Sequence, residues 1–184
     1  KFAGFLRQIF IAALFGVGIA YDAYNYAYII PGFLIIIIGG INGPLHNAVV
    51  AVLTPLEKNR ARQVLQNTSV RIILLLLIIS IVIFFNAELI INLIGPNLDK
   101  ETQLIAARQL KILSPCIPLS GFNGLSYGAL NSKNKFFISS ISPIIVSIVT
   151  IIFISIYWFF NLKNQIFNNL FYTELLSLAT LAGT

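Results

Sequence analysis

The sequence predicts an all-α fold, a polytopic membrane helical bundle with about six transmembrane helices. Three observations carry this expectation. Of the 184 residues, 58% are hydrophobic and only 10% charged, whereas a soluble domain carries roughly a quarter of its residues as charges. The apolar residues fall into runs long enough to cross a bilayer. The cations gather at the ends of these runs and favour alternate connections, so the net charge of +6 reads as topology and not as a nucleic-acid patch.

A hydrocarbon core about 30 Å thick needs roughly 20 helical residues. Runs at approximately 2–20, 23–53, 70–95, 104–130, 136–160 and 170–184 fit this scale, the last of them incomplete. The chain 1–184 is read as a single membrane domain. Without a methionine, and with both ends lying inside helical patterns, it is expected to be a fragment. The first run lacks a small-residue cleavage site and leads directly into further spans, which excludes a signal peptide.

Within the first run, residues 9–20 are uncharged but cover only about 18 Å as helix. Arg7 must then lie inside the span, where an arginine costs about 2.5 to 3.5 kcal/mol at mid-depth and less near an end. Lys1, Gly4, Arg7 and Gln8 share one helical face, so a cationic stripe enters the membrane, unless Arg7 snorkels to the headgroups. Asp22 marks the first turn, either capping the next helix or facing a cavity entrance.

The second run contains Pro31-Gly32, Gly39-Gly40 and Asn42-Gly43-Pro44, which predicts a bent or broken helix. Broken backbone at membrane depth persists where protein or a water-filled cavity satisfies it; the alternative is a glycine-rich packing seam. The third and fifth runs are apolar on all faces and read as framework, with Glu88 reaching the outer interface. The fourth carries Pro115 and Pro118, and Ser114, Gly121, Gly124 and Gly128 form a small-residue face that a neighbouring helix can approach. Arg108 and Lys111 at its start read as interfacial anchors.

The connections at 57–62 and 133–135 are basic, whereas those marked by Asp22 and by 99–101 are not. Under the positive-inside rule the second and fourth connections are cytoplasmic, and so is the N-terminus. Cys116 is the sole cysteine, so no intrachain disulfide can form; His46, the sole histidine, is expected to be a hydrogen-bonded structural residue. Nucleophile triads, phosphate loops, dinucleotide fingerprints and paired carboxylates are all lacking, so the chain is read as no enzyme, with no metal site and no catalytic residue. A cationic surface inside a membrane protein suits an anionic group such as phosphate.

Several segments, in order, resemble the MviN/MurJ family of lipid II flippases: Gly4-Phe5-Leu6-Arg7, Leu14-Phe15-Gly16-Val17-Gly18, Tyr21-Asp22-Ala23-Tyr24 and Ile30-Pro31. The resemblance continues through Gln109-Leu110-Lys111-Ile112-Leu113-Ser114-Pro115 and 128–136 to Pro143. It implies most of the N-terminal lobe of a two-lobed transporter in a bacterial plasma membrane, and export of lipid-linked peptidoglycan precursor. It also implies a cationic cavity for the pyrophosphate headgroup. Arg7 matches one cavity arginine, Lys1 replaces a second, Asp22 matches an aspartate at the periplasmic end, and Asn42-Gly43 aligns with a Glu-Gly pair. These four, Lys1, Arg7, Asp22 and Asn42, are the candidate substrate-binding residues. Many members carry an arginine pair after the proline, whereas residues 32–38 are apolar here. No cofactor is implied; Asp22 could couple to Na⁺ or H⁺. Expected partners are lipid II, membrane lipids and a second lobe. Other readings are a polysaccharide-lipid or drug and cation exporter of the same superfamily, or a membrane scaffold without transport.

Overall fold

The computed structural model describes residues 2–16, 18–41, 43–164 and 169–184, and these are helical with no strand among them. In order they form α1 (Phe2–Phe15), α2 (Ile19–Leu34), a π-helical turn (Ile35–Gly39), α3 (Pro44–Leu53) and α4 (Lys58–Phe85). There follow α5 (Ala87–Ile94), α6 (Lys100–Leu113), α7 (Cys116–Asn131), α8 (Phe136–Asn164) and α9 (Asn169–Gly183). Three segments are long and apolar enough to cross a bilayer, at Ile19–Leu53, Lys58–Phe85 and Phe136–Phe159.

Glycine sets the first boundary, and it does not lie at Asp22 as expected. Gly16 ends α1 with φ +53°, its N–H bonded to the carbonyl of Ala12 at 3.0 Å, a left-handed cap that suits glycine. Gly18 then stands in extended backbone before α2, and Asp22 falls in the first turn of that helix, making no cap bond. Apolar run length could not locate this turn, because both glycines sit within the run.

The expected break in the second run is present. After the π turn, Gly40 and Gly43 are extended (ψ 140° and 165°), and Pro44, which has no N–H to donate, begins α3. The third run also differs from expectation. Its helix starts at Lys58, so the basic segment 57–62 is the N-cap and first turn of α4 and not a loop, with its charged side chains exposed, and it ends at Asn86, whose Nδ2 donates to the Val82 carbonyl at 2.8 Å. Glu88 belongs to the separate α5 and pairs with Lys111 at 3.0 Å on the exposed surface.

The fourth run is two helices, because its prolines remove donors and hydroxyls replace them. Pro115 cannot bond the Lys111 carbonyl, which accepts from Ser114 Oγ at 2.9 Å. Pro118 cannot bond the Ser114 carbonyl, which accepts from Ser80 Oγ of α4 at 2.8 Å.

The main core lies where Ala23 and Ala27 of α2 meet Ala106, Ala107, Leu110 and Leu113 of α6, joined by Ile83, Ile91 and Ile117. Small side chains let these helices approach closely, the packing that associates helices where lipid removes the hydrophobic drive. A second cluster joins α1, α8 and α9 through Ile11, Phe15, Ile154, Leu175 and Leu176. Leu74, Leu75, Ile78 and Phe85 of α4 and Phe137, Ile145, Trp158 and Phe159 of α8 point outward as large exposed apolar side chains. Apolar surface of this kind suits contact with lipid chains.

Candidate functional site

A cavity of about 460 Å³ opens among α1, the π turn, α7, α8 and α9. Three pieces of local chemistry shape it. The broken backbone at Gly39, Gly40 and Ile41 forms one side. It can approach α7 because that helix turns its glycine face there: a Cβ on Gly39 would stand 2.7 Å from Ser120 Cβ, and one on Gly124 would collide with the Ile38 carbonyl oxygen. The small-residue seam and the cavity wall are therefore one feature.

The opposite side is α1, which presents Gly4 and Arg7. Arg7 is half-buried, its Nε is buried without a hydrogen-bond partner, and no carboxylate pairs with it among the described residues. Its charge acts electrostatically on the phenols of Tyr24 and Tyr28 of α2.

The remaining wall is mixed: Ile35, Pro143, Ile144 and Val146 are apolar, and the polar side chains are internally bonded. Asn123 Nδ2 donates to the Thr184 carbonyl at 2.9 Å, and the Tyr127 hydroxyl is hydrogen-bonded to Ser142 Oγ. Thr180 Oγ1 pairs with the Tyr24 hydroxyl at 2.9 Å and donates to the Leu176 carbonyl. This network ties α2, α7, α8 and α9 around the cavity.

Of the residues singled out from sequence, the structure places Arg7 in this cavity. Gln8, expected on the same stripe, is exposed and does not line it. Asp22 is exposed at the start of α2 and outside the cavity. Lys1 and Asn42 lie outside the described residues. Tyr28, Asn123, Tyr127 and Ser142 were missed; the available signal was polar side chains at 123 and 127, one helical turn apart in an apolar span. His46 is buried as expected, its Nε2 2.8 Å from Asn131 Nδ2.

The family described as lipid II flippase MurJ matches residues 11–184. A probable lipid II flippase MurJ of Synechocystis sp. is 41% identical over 152 residues, 83% of this chain and 28% of that protein. The chain belongs to the MurJ family. The lipid II flippase MurJ of Thermosipho africanus is 33% identical over 152 residues, 83% of this chain and 32% of its own length. A solved structure of lipid II flippase MurJ in an inward closed conformation superposes with a TM-score of 0.79 at 30% identity, covering 99% of this chain and 37% of that one. The chain thus spans about a third of the length of its MurJ relatives, and the helical membrane fold expected from its sequence is that of a MurJ segment.

Proposed function

We propose that this chain forms the N-terminal part of a lipid II flippase, which carries lipid-linked peptidoglycan precursor from the cytoplasmic to the periplasmic leaflet by alternating access. The observation that carries this reading is Arg7, a guanidinium with no counter-charge among the described residues, on the wall of a large cavity. A partly desolvated cation is costly unless paired, and a guanidinium binds phosphate oxygens in bidentate fashion. An entering diphosphate offsets that cost, yet a few contacts leave binding weak enough for release.

Lys1 and Asn42 are proposed as further substrate contacts, and Asp22, outside the cavity, as a group that couples to Na⁺ or H⁺. The reading requires no bond-making step, hence no catalytic residue and no cofactor. It places the N-terminus on the cytoplasmic side of a bacterial plasma membrane, with the rest of the transporter supplying the second lobe.

The test is charge reversal, Arg7→Glu, in the full-length protein of a flippase-depleted strain. Growth should fail while membrane insertion stays normal; wild-type growth would remove Arg7 from the mechanism. One observation favours a second reading, an exporter of another polyprenyl-linked glycan or of a drug: residues 32–38 carry no cation where many family members have two. Efflux of such a compound from vesicles, with lipid II exposure unaltered, would select it. A scaffold without transport would keep its function after neutralisation of Lys1, Arg7 and Asp22 together.

A further inference from the structure

Two polar side chains on the cavity wall, Arg7 and Tyr28, have no hydrogen-bond or ion-pair partner among the described residues. The other polar side chains of the wall are bonded within the protein, as Asn123, Tyr127, Ser142 and Thr180 illustrate.

Tyr28 is also held in place. Its ring stacks on that of Tyr24 one turn earlier, with centroids 5.4 Å apart and planes 15° from parallel. Tyr24 in turn is anchored through its hydroxyl to Thr180. One turn later, Gly32 leaves room for the ring to lie along α2: a Cβ there would stand 2.5 Å from Tyr28 Cε1 and 2.7 Å from Cδ1. Phenylalanine would satisfy the stack and the contact with Gly32 equally well. The hydroxyl therefore has no packing role and, unlike Arg7 Nε, is not buried, so it is available to donate to a ligand in the cavity.

We propose that Tyr28 is a second anion ligand of the cavity, its phenol O–H donating to an oxygen of the same phosphate group that Arg7 holds. The inference rests on the flippase reading and deepens it. Because residues 32–38 contribute no cation, α2 serves the headgroup through a neutral donor. Such a donor adds direction without adding charge, which keeps the complex reversible.

The test uses the full-length protein in lipid nanodiscs, with a polyprenyl diphosphate and the polyprenyl alcohol of equal length as probes. Tyr28→Phe should weaken diphosphate binding about tenfold, the effect of losing one hydrogen bond to a charged group, and leave alcohol binding unchanged. Combined with Arg7→Gln its effect should be non-additive, since both side chains hold one ligand. Wild-type affinity in Tyr28→Phe alongside a loss in Arg7→Gln would overturn the role of Tyr28 and leave the flippase reading standing. Wild-type affinity in Arg7→Gln would overturn both. Should the variant fail to fold, the ¹³Cζ resonance of Tyr28 in labelled wild-type protein gives the answer. It should shift when the diphosphate is added and not when the alcohol is; no shift would overturn the proposal.

Discussion

Gly124 of α7 faces the carbonyl oxygen of Ile38 with no room for a side chain between them. That contact brings the π turn against α7 and so positions one wall of the cavity. Gly124→Ala should lower thermal stability in detergent by about 1–3 kcal/mol, the cost of overpacking a backbone contact. Gly4→Ala is the control, because nothing lies within 4 Å of a Cβ there. It should leave stability unchanged or raise it by up to about 1 kcal/mol through helix propensity. Equal melting temperatures for the two variants would contradict the role assigned to the seam.

Gln109 is fully buried, and its Nε2 donates to the carbonyls of Ala20 and Thr173, joining α6 to α2 and α9, while its Oε1 has no partner among the described residues. Gln109→Leu removes the two bonds but also the unpaired oxygen, so its cost should stay near 1 kcal/mol. Gln109→Glu turns a buried acidic group toward two carbonyls, and should cost about 3 kcal/mol or more. Unfolding midpoints of the two variants test the order; a glutamate variant as stable as the leucine one would show that the pocket is wetter than its burial implies.

The sequence carried the fold class because run length and composition are global signals, and the break at 39–44 was legible because Gly39, Gly40, Gly43 and Pro44 are punctuation wherever they occur. The helix end at Gly16 was not, because one residue with positive φ ends a helix without interrupting an apolar run. At the division of the fourth run, the bond from Ser80 to a carbonyl 34 residues away was not legible either. At the cavity, Arg7 announced itself by the cost of a charge in a membrane. Tyr28 did not, since an aromatic at helical spacing looks like core until its hydroxyl is seen to be free.

Asp99 caps α6 in a connection between spans: its Oδ2 accepts from the Thr102 N–H at 3.0 Å and its Oδ1 from the Thr102 hydroxyl at 2.7 Å. The side-chain bond from Thr102, then the backbone bond, hold the carboxyl below its ordinary value. A carboxyl depressed on folding stabilises above its unfolded pKa of about 3.9, and that stabilisation is lost as pH falls through the lower folded value. Protection of the Thr102 amide, its exchange relative to the intrinsic rate, should therefore be lost only in the acid range below about pH 4. Asp99→Ala should lower this protection at neutral pH and abolish its acid dependence; an unchanged acid profile in that variant would assign it to another group.

The His46 ring joins α3 to α7. Asn131 Nδ2 can only donate, so the His46 Nε2 that stands 2.8 Å away must accept, and the ring proton sits on Nδ1, 3.1 Å from Asn47 Oδ1. Ser139 Oγ, whose single proton has the Phe136 carbonyl at 2.9 Å as a second acceptor, stands 2.8 Å from Asn131 Oδ1 and carries the chain of bonds from α3 through α7 to α8. Nitrogen-15 shifts of the full-length protein should report the Nδ1–H tautomer at neutral pH, uncommon for a free imidazole but imposed here by the donor. His46→Phe fills the space but leaves the Asn131 amide unpaired, and should cost about 1–3 kcal/mol. Asn131→Asp should reverse the demand on Nε2 from acceptor to donor and move the proton to it. An Nε2–H tautomer in the wild-type protein would show that Asn131 sits in the flipped orientation and that the bond to Ser139 runs the other way.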